Sequence, residues 1–175
     1  MCSLTDPVQS DYTIRAHDGL GWISGARQLL YAASTVADSF NQSMGQYGED
    51  WREQQVGLMK ATMLLTGLAV ENALKGLAAA RGEGVVVASD RLPLEPPFSN
   101  HDLPGMAAKL KLEIDGEASD LLKRLSQAVR WGGRYPIPRR ESQMPKDGVS
   151  LSMLPTDVDR AKKLVETIDA RVRAI

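Results

Sequence analysis

Few side chains in this sequence can do covalent chemistry. Its 175 residues hold two histidines, His17 and His101, and one cysteine, Cys2, beside the initiating methionine. A single terminal thiol can form neither an internal disulfide nor a thiolate zinc cluster, and it suits a reducing, cytoplasmic setting. The sequence has no H-E-x-x-H, no G-x-S-x-G and no Cys or His pair at metal-ligand spacing. Metal-dependent and serine-hydrolase chemistry therefore lack their parts, and neither a metal nor a cofactor is expected. Gly19, Gly21 and Gly25 follow neither the dinucleotide nor the P-loop spacing, so they are read as a loose helix start and close packing.

What remains is non-covalent chemistry. Glu71 and Lys75 are spaced i, i+4 in a strongly apolar stretch. They form either an ordinary helical ion pair or a buried polar network that fixes the bundle or a ligand. His101 and Asp102 stand at a helix start, where Asp102 can cap free backbone N–H groups and the same N-terminus can attract phosphate. Arg134 follows Gly132-Gly133 and offers a planar fork for phosphate, with Tyr135 offering a face for a base. The alternative for this pair is structural, with Arg134 bound to an internal carboxylate such as Glu71 and Tyr135 packed on the central helix. From Lys123 to Lys146 the bases Lys123, Arg124, Arg130, Arg134, Arg139, Arg140 and Lys146 face the single acid Glu141, a local net charge of +6. The chain as a whole carries -1, which removes any overall attraction to nucleic acid or an anionic membrane and leaves this segment as the one basic patch.

These residues need a scaffold, and the hydrophobic pattern predicts an all-α bundle of about five helices in one domain. With 43% hydrophobic and 25% charged residues the chain is of ordinary globular make-up. Residues 1–17 are expected to be a loose N-terminal segment. Ile23, Ala26, Leu30, Ala33 and Phe40 recur at helical spacing over Leu20 to Phe40. Trp51 to Arg81 contains no proline and carries so wide an apolar stripe that it must be buried on most sides, with Gly82 as its stop. A third helix is expected over Asp102 to Leu112, a fourth over Gly116 to Trp131 and a fifth from Thr156, where Thr156 and Asp159 approximate a capping box. Pro93, Pro96 and Pro97 break one long connection, which has room for a short strand at Val85 to Val87, and Pro136, Pro138 and Pro145 break a second. The longest uncharged apolar run, Ala61 to Val70, is about half the ~20 residues a membrane span needs. A soluble protein without a membrane partner is expected.

In order along the chain stand Ala69-Val70-Glu71-Asn72-Ala73-Leu74-Lys75, then Asn100-His101-Asp102-Leu103, then Arg134-Tyr135-Pro136. Together these resemble the HEPN domain family, over roughly Trp51 to Pro136. The resemblance implies a helical bundle that is often a homodimer and that occurs as a nucleotide-binding module. It also implies settings beside nucleotidyltransferases and within toxin–antitoxin and antiviral defence systems. Catalytic members of that family place His four to six residues after Arg; here His17 follows Arg15 by two and His101 lies far from Arg81. The expectation is thus a non-catalytic nucleotide- or RNA-binding module whose ligand residues are Arg134, Tyr135, His101, Asp102, Glu71 and Lys75. A divergent ribonuclease using His101 and Arg134 is the enzyme alternative. A protein-interaction module without a ligand is the third.

Overall fold

The computed structural model describes residues 11, 14–84, 96–135, 141 and 151–175. Among the described residues the bundle is built from α1 Gly19–Ser43, α2 Trp51–Ala80, α3 Leu103–Lys109, α4 Gly116–Gln127 and α5 Asp157–Arg173. A π-helical segment, Ala128–Gly132, continues α4, and no strand occurs among the described residues. The all-α expectation holds.

α1 and α2 form an antiparallel hairpin. It starts where Asp18 accepts a hydrogen bond from the Gly21 amide at 2.9 Å. At that end the backbones touch: a Cβ on Gly19 would fall 2.8 Å from the Gly76 carbonyl oxygen, so only glycine allows the approach. At the other end Gln55 Nε2 donates to the Ser43 carbonyl at 3.1 Å. Residues 14–17 are helical, Ala16 is buried, and its carbonyl accepts from Trp22 Nε1 at 3.2 Å.

α2 is the spine. Met63, Ala69, Val70, Ala73, Leu74 and Leu77 are wholly buried, and the helix stops at Gly82, which takes a left-handed φ of 67°. α2 is also long and apolar enough to cross a membrane by length and composition, but 67% of its most apolar window is buried inside the bundle. That burial is compatible with the core helix of a soluble protein.

α3 and α4 close one side, with Leu103, Met106, Leu121, Leu122 and Leu125 inside. Ser126 Oγ accepts from the Leu103 amide at 2.9 Å, satisfying one free donor of the short helix. α5 lays Ala161, Val165 and Ile168 into the same core. Its position is fixed by buried Asp157, which binds Arg124 of α4 at 2.5 Å and accepts from the Leu154 amide at 2.8 Å. Two local expectations fail here. Thr156 makes no side-chain cap, because Asp157 captures the turn instead. The third helix ends at Lys109 rather than Leu112, since Lys111 turns the chain with φ 53°. The expected strand at Val85 to Val87 lies outside the described residues.

Candidate functional site

The polar residues expected to do chemistry fall into two neighbouring groups at the junction of α2, α3 and the π segment. In the first, Glu71 projects from α2 into the bundle and is only 2% exposed. A carboxylate so buried needs compensation. Lys75, one turn on, brings Nζ to 2.5 Å from one oxygen, and His101 brings Nδ1 to 2.9 Å from the other. The Lys75 side chain is itself mostly buried, so the pair is the buried network of the two alternatives.

His101 reaches Glu71 because its backbone is left-handed, with φ 58°. That conformation costs a non-glycine residue about 1–2 kcal/mol, and it turns the imidazole from the loop onto α2. With Glu71 ionised beside Lys75 the carboxylate can only accept, so Nδ1 carries the hydrogen and Nε2 is left for another contact. Asp102 does not cap α3, contrary to expectation. Its amide donates to Asn100 Oδ1 at 3.2 Å, and its carboxylate faces Arg130 at 3.4 Å. Arg130 Nε also donates to the Asn100 carbonyl at 3.2 Å, tying the loop before α3 to the π segment.

The second group is built by the π segment. The fourth helix does not run regularly to Trp131; from Ala128 the backbone widens, and the Gly133 amide donates to the Ala128 carbonyl at 3.0 Å. Gly133 is pressed on α2, where a Cβ would meet that of Leu64 at 2.8 Å. The chain that leaves carries Arg134 and Tyr135. Arg134 does not bind Glu71 or any other carboxylate among the described residues. Its NH2 donates to the carbonyls of Val129 at 2.6 Å and Arg130 at 3.1 Å, and its guanidinium carbon lies 5.5 Å from the Tyr135 ring centre. Both residues are exposed.

Glu71, Lys75 and His101 thus converge as one unit. Asp102 and Arg130 adjoin them through Asn100, and Arg134 joins through the Arg130 carbonyl. The basic segment is less positive in space than in sequence. Lys123 meets Asp120 at 2.9 Å, and this contact holds the Asp120 carboxyl below the usual range. Arg124 is neutralised by Asp157 and Arg130 faces Asp102. Arg139, Arg140 and Lys146 lie outside the described residues. Two cavities, of about 550 and 100 Å³, open along α5, and none of the expected site residues lines either. No group of metal-binding side chains occurs among the described residues.

Fold and cluster together define an all-helical bundle with a buried Glu–Lys–His network beside a surface guanidinium. Set against family models, curated proteins and solved structures, the chain matches none.

Proposed function

We propose that the chain is a non-catalytic, HEPN-like module that binds a phosphate-bearing ligand, a nucleotide or an RNA strand, beside the π segment. One observation carries the reading: the Arg134 guanidinium is oriented by two carbonyls, has no carboxylate partner among the described residues, and stands over the Tyr135 ring. A fixed, uncompensated fork suits phosphate, and the adjacent ring suits a base. The Arg130 guanidinium supplies further donors nearby. Work in a toxin–antitoxin or antiviral defence system, with an antitoxin or nucleotidyltransferase as partner, is the setting that the resemblance adds.

The test is calorimetry with nucleotides and fluorescence anisotropy with labelled RNA, on wild type and Arg134→Ala. Losing a charge-assisted contact should cost about 1.5–3 kcal/mol, roughly ten- to a hundredfold in affinity. Equal binding by a folded Arg134→Ala variant, or no binding by the wild type at low salt, removes the site.

A second reading is favoured by the Glu71–His101 contact. A buried carboxylate that fixes the Nδ1 hydrogen of a histidine leaves Nε2 poised for proton transfer, and Arg134 can stabilise charge on phosphate. Cleavage of total RNA that disappears in a folded His101→Ala variant would establish this divergent ribonuclease and overturn the non-catalytic one.

A further inference from the structure

α4 and α5 are joined by ion pairs that form a ladder closed at one end only. The first rung is Arg124 to buried Asp157 at 2.5 Å, and the second is Glu117 to Arg160 at 2.5 Å. Moving from Glu117 to Arg124 along α4 moves back from Arg160 to Asp157 along α5, so the two helices run antiparallel. One turn beyond Arg160 on α5 stands Lys163, and in the connection that enters α4 stands Glu113. Both line the cavity of about 550 Å³ between the start of α4 and α5, and neither side chain has a hydrogen bond or ion pair among the described residues. The third rung is open.

The other charges around this cavity are already engaged. Asp115 accepts from the Ala118 amide at 2.7 Å, and Asp159 faces Lys162 at 3.6 Å. Glu117 and Arg160 hold each other. That leaves one carboxylate on one wall and one ammonium on the other. The floor is apolar: Ile114 and Leu164 are half-buried against the core, and both line the cavity. Its volume lies inside the ~300–1,000 Å³ range of small-ligand sites and far above the ~30 Å³ of one water.

We propose that this cavity binds a small zwitterion with an apolar body, a hydrophobic amino acid or a short peptide of such residues, with Glu113 receiving its ammonium and Lys163 its carboxylate. The bound ligand completes the third rung. Its two charges stand where the ion pair is missing, and its side chain covers Ile114 and Leu164. The charge balance selects against other classes. Glu113, Asp115, Glu117 and Asp159 outnumber Arg160 and Lys163, so a phosphate or a nucleic acid strand meets a net negative wall. A polyamine meets the unpaired Lys163, and a neutral hydrocarbon strips water from both free charges without replacing it. None of the residues of the phosphate reading lines this cavity, so the two sites stand or fall separately.

Titration of the full chain with L-leucine and leucyl-leucine at neutral pH, followed through backbone amide shifts by NMR, is the test. Residues 113–118 and 160–167 should shift and saturate by about 10 mM, roughly ten times a dissociation constant of ~1 mM. Whichever of the two ligands binds tighter names the source, free amino acid or peptide. N-acetyl-leucine, which lacks the ammonium, and leucinamide, which lacks the carboxylate, should each bind about three- to tenfold more weakly than leucine. Glu113→Gln should weaken leucine by a similar factor and leave N-acetyl-leucine unchanged, and Lys163→Met should do the same for leucine while leaving leucinamide unchanged. Both residues are exposed, so circular dichroism should stay helical; if a variant unfolds, the ligand series on the wild type decides. No saturating shifts in those two stretches, blocked ligands that bind as well as leucine, or a folded Glu113→Gln/Lys163→Met variant that binds like the wild type overturns the proposal.

Discussion

Replacing Glu71 by Met tests whether the polar cluster holds the bundle together. The side chains are close in size, so the change removes the carboxylate with little cavity. It leaves Lys75, whose side chain is 12% exposed, with no acceptor among the described residues. Breaking a buried pair by removing one partner costs about 3–5 kcal/mol. The Lys75 stem can carry its ammonium toward the remaining exposed edge, so the loss should fall near the lower bound, about 3 kcal/mol. With a urea slope of about 2 kcal/mol/M, the midpoint should drop by about 1.5 M. The melting temperature should fall by roughly 6–12 °C for a chain of this length. Adding Lys75→Met removes the stranded charge, so the double variant should recover most of the loss, a coupling well above the ~0.5 kcal/mol of independent sites. Urea titrations of wild type, both single variants and the double variant make the measurement. A Glu71→Met cost under about 0.5 kcal/mol, or a double variant as unstable as the sum of the singles, would refute the buried network.

Two further outcomes follow from other features. Lys111 holds φ 53° with its side chain exposed and in no hydrogen bond or ion pair among the described residues, so Lys111→Gly should raise stability by about 0.5–1 kcal/mol in the same titration. A decrease would show that the turn is not strained. Asp120 should titrate below an ordinary aspartate in an NMR pH series because Lys123 donates to it, and Lys123→Met should return it to the usual range. A depressed folded value means that the contribution is present above the unfolded pKa and is lost as pH falls through the folded one. An unmoved titration in the variant would refute that cause.

The helices were legible because each carries a period of apolar residues long enough to outvote its local exceptions. α2 is the clearest case: thirty residues without proline, ended by Gly82 in the left-handed geometry that its place suggests. The boundaries that differed did so for contacts with distant parts of the chain. Thr156 and Asp159 fit a capping box, yet Asp157 takes the Leu154 amide because Arg124, 33 residues earlier, draws it inward. Asp102 likewise turns from its own helix toward Arg130. The π segment had no sequence signal beyond Gly132-Gly133, since what selects it is the need for Gly133 to sit on Leu64 without a Cβ.

The candidate site shows the same division in sharper form. Glu71 and Lys75 could be paired from their spacing, but not His101, which lies 30 residues away and reaches Glu71 only through a backbone conformation that histidine rarely adopts. The basic run from Lys123 overstates the local charge for a related reason. A count along the chain sees Glu141 alone, whereas folding brings Asp157 to Arg124 and Asp102 to Arg130. Of the described cations in that run, Arg134 is the one whose side-chain hydrogen bonds go only to backbone carbonyls. Affinity for phosphate should therefore follow this single guanidinium more closely than the net charge of the segment. Substituting Lys123 or Arg124, each already held by a carboxylate, should matter far less to binding than substituting Arg134.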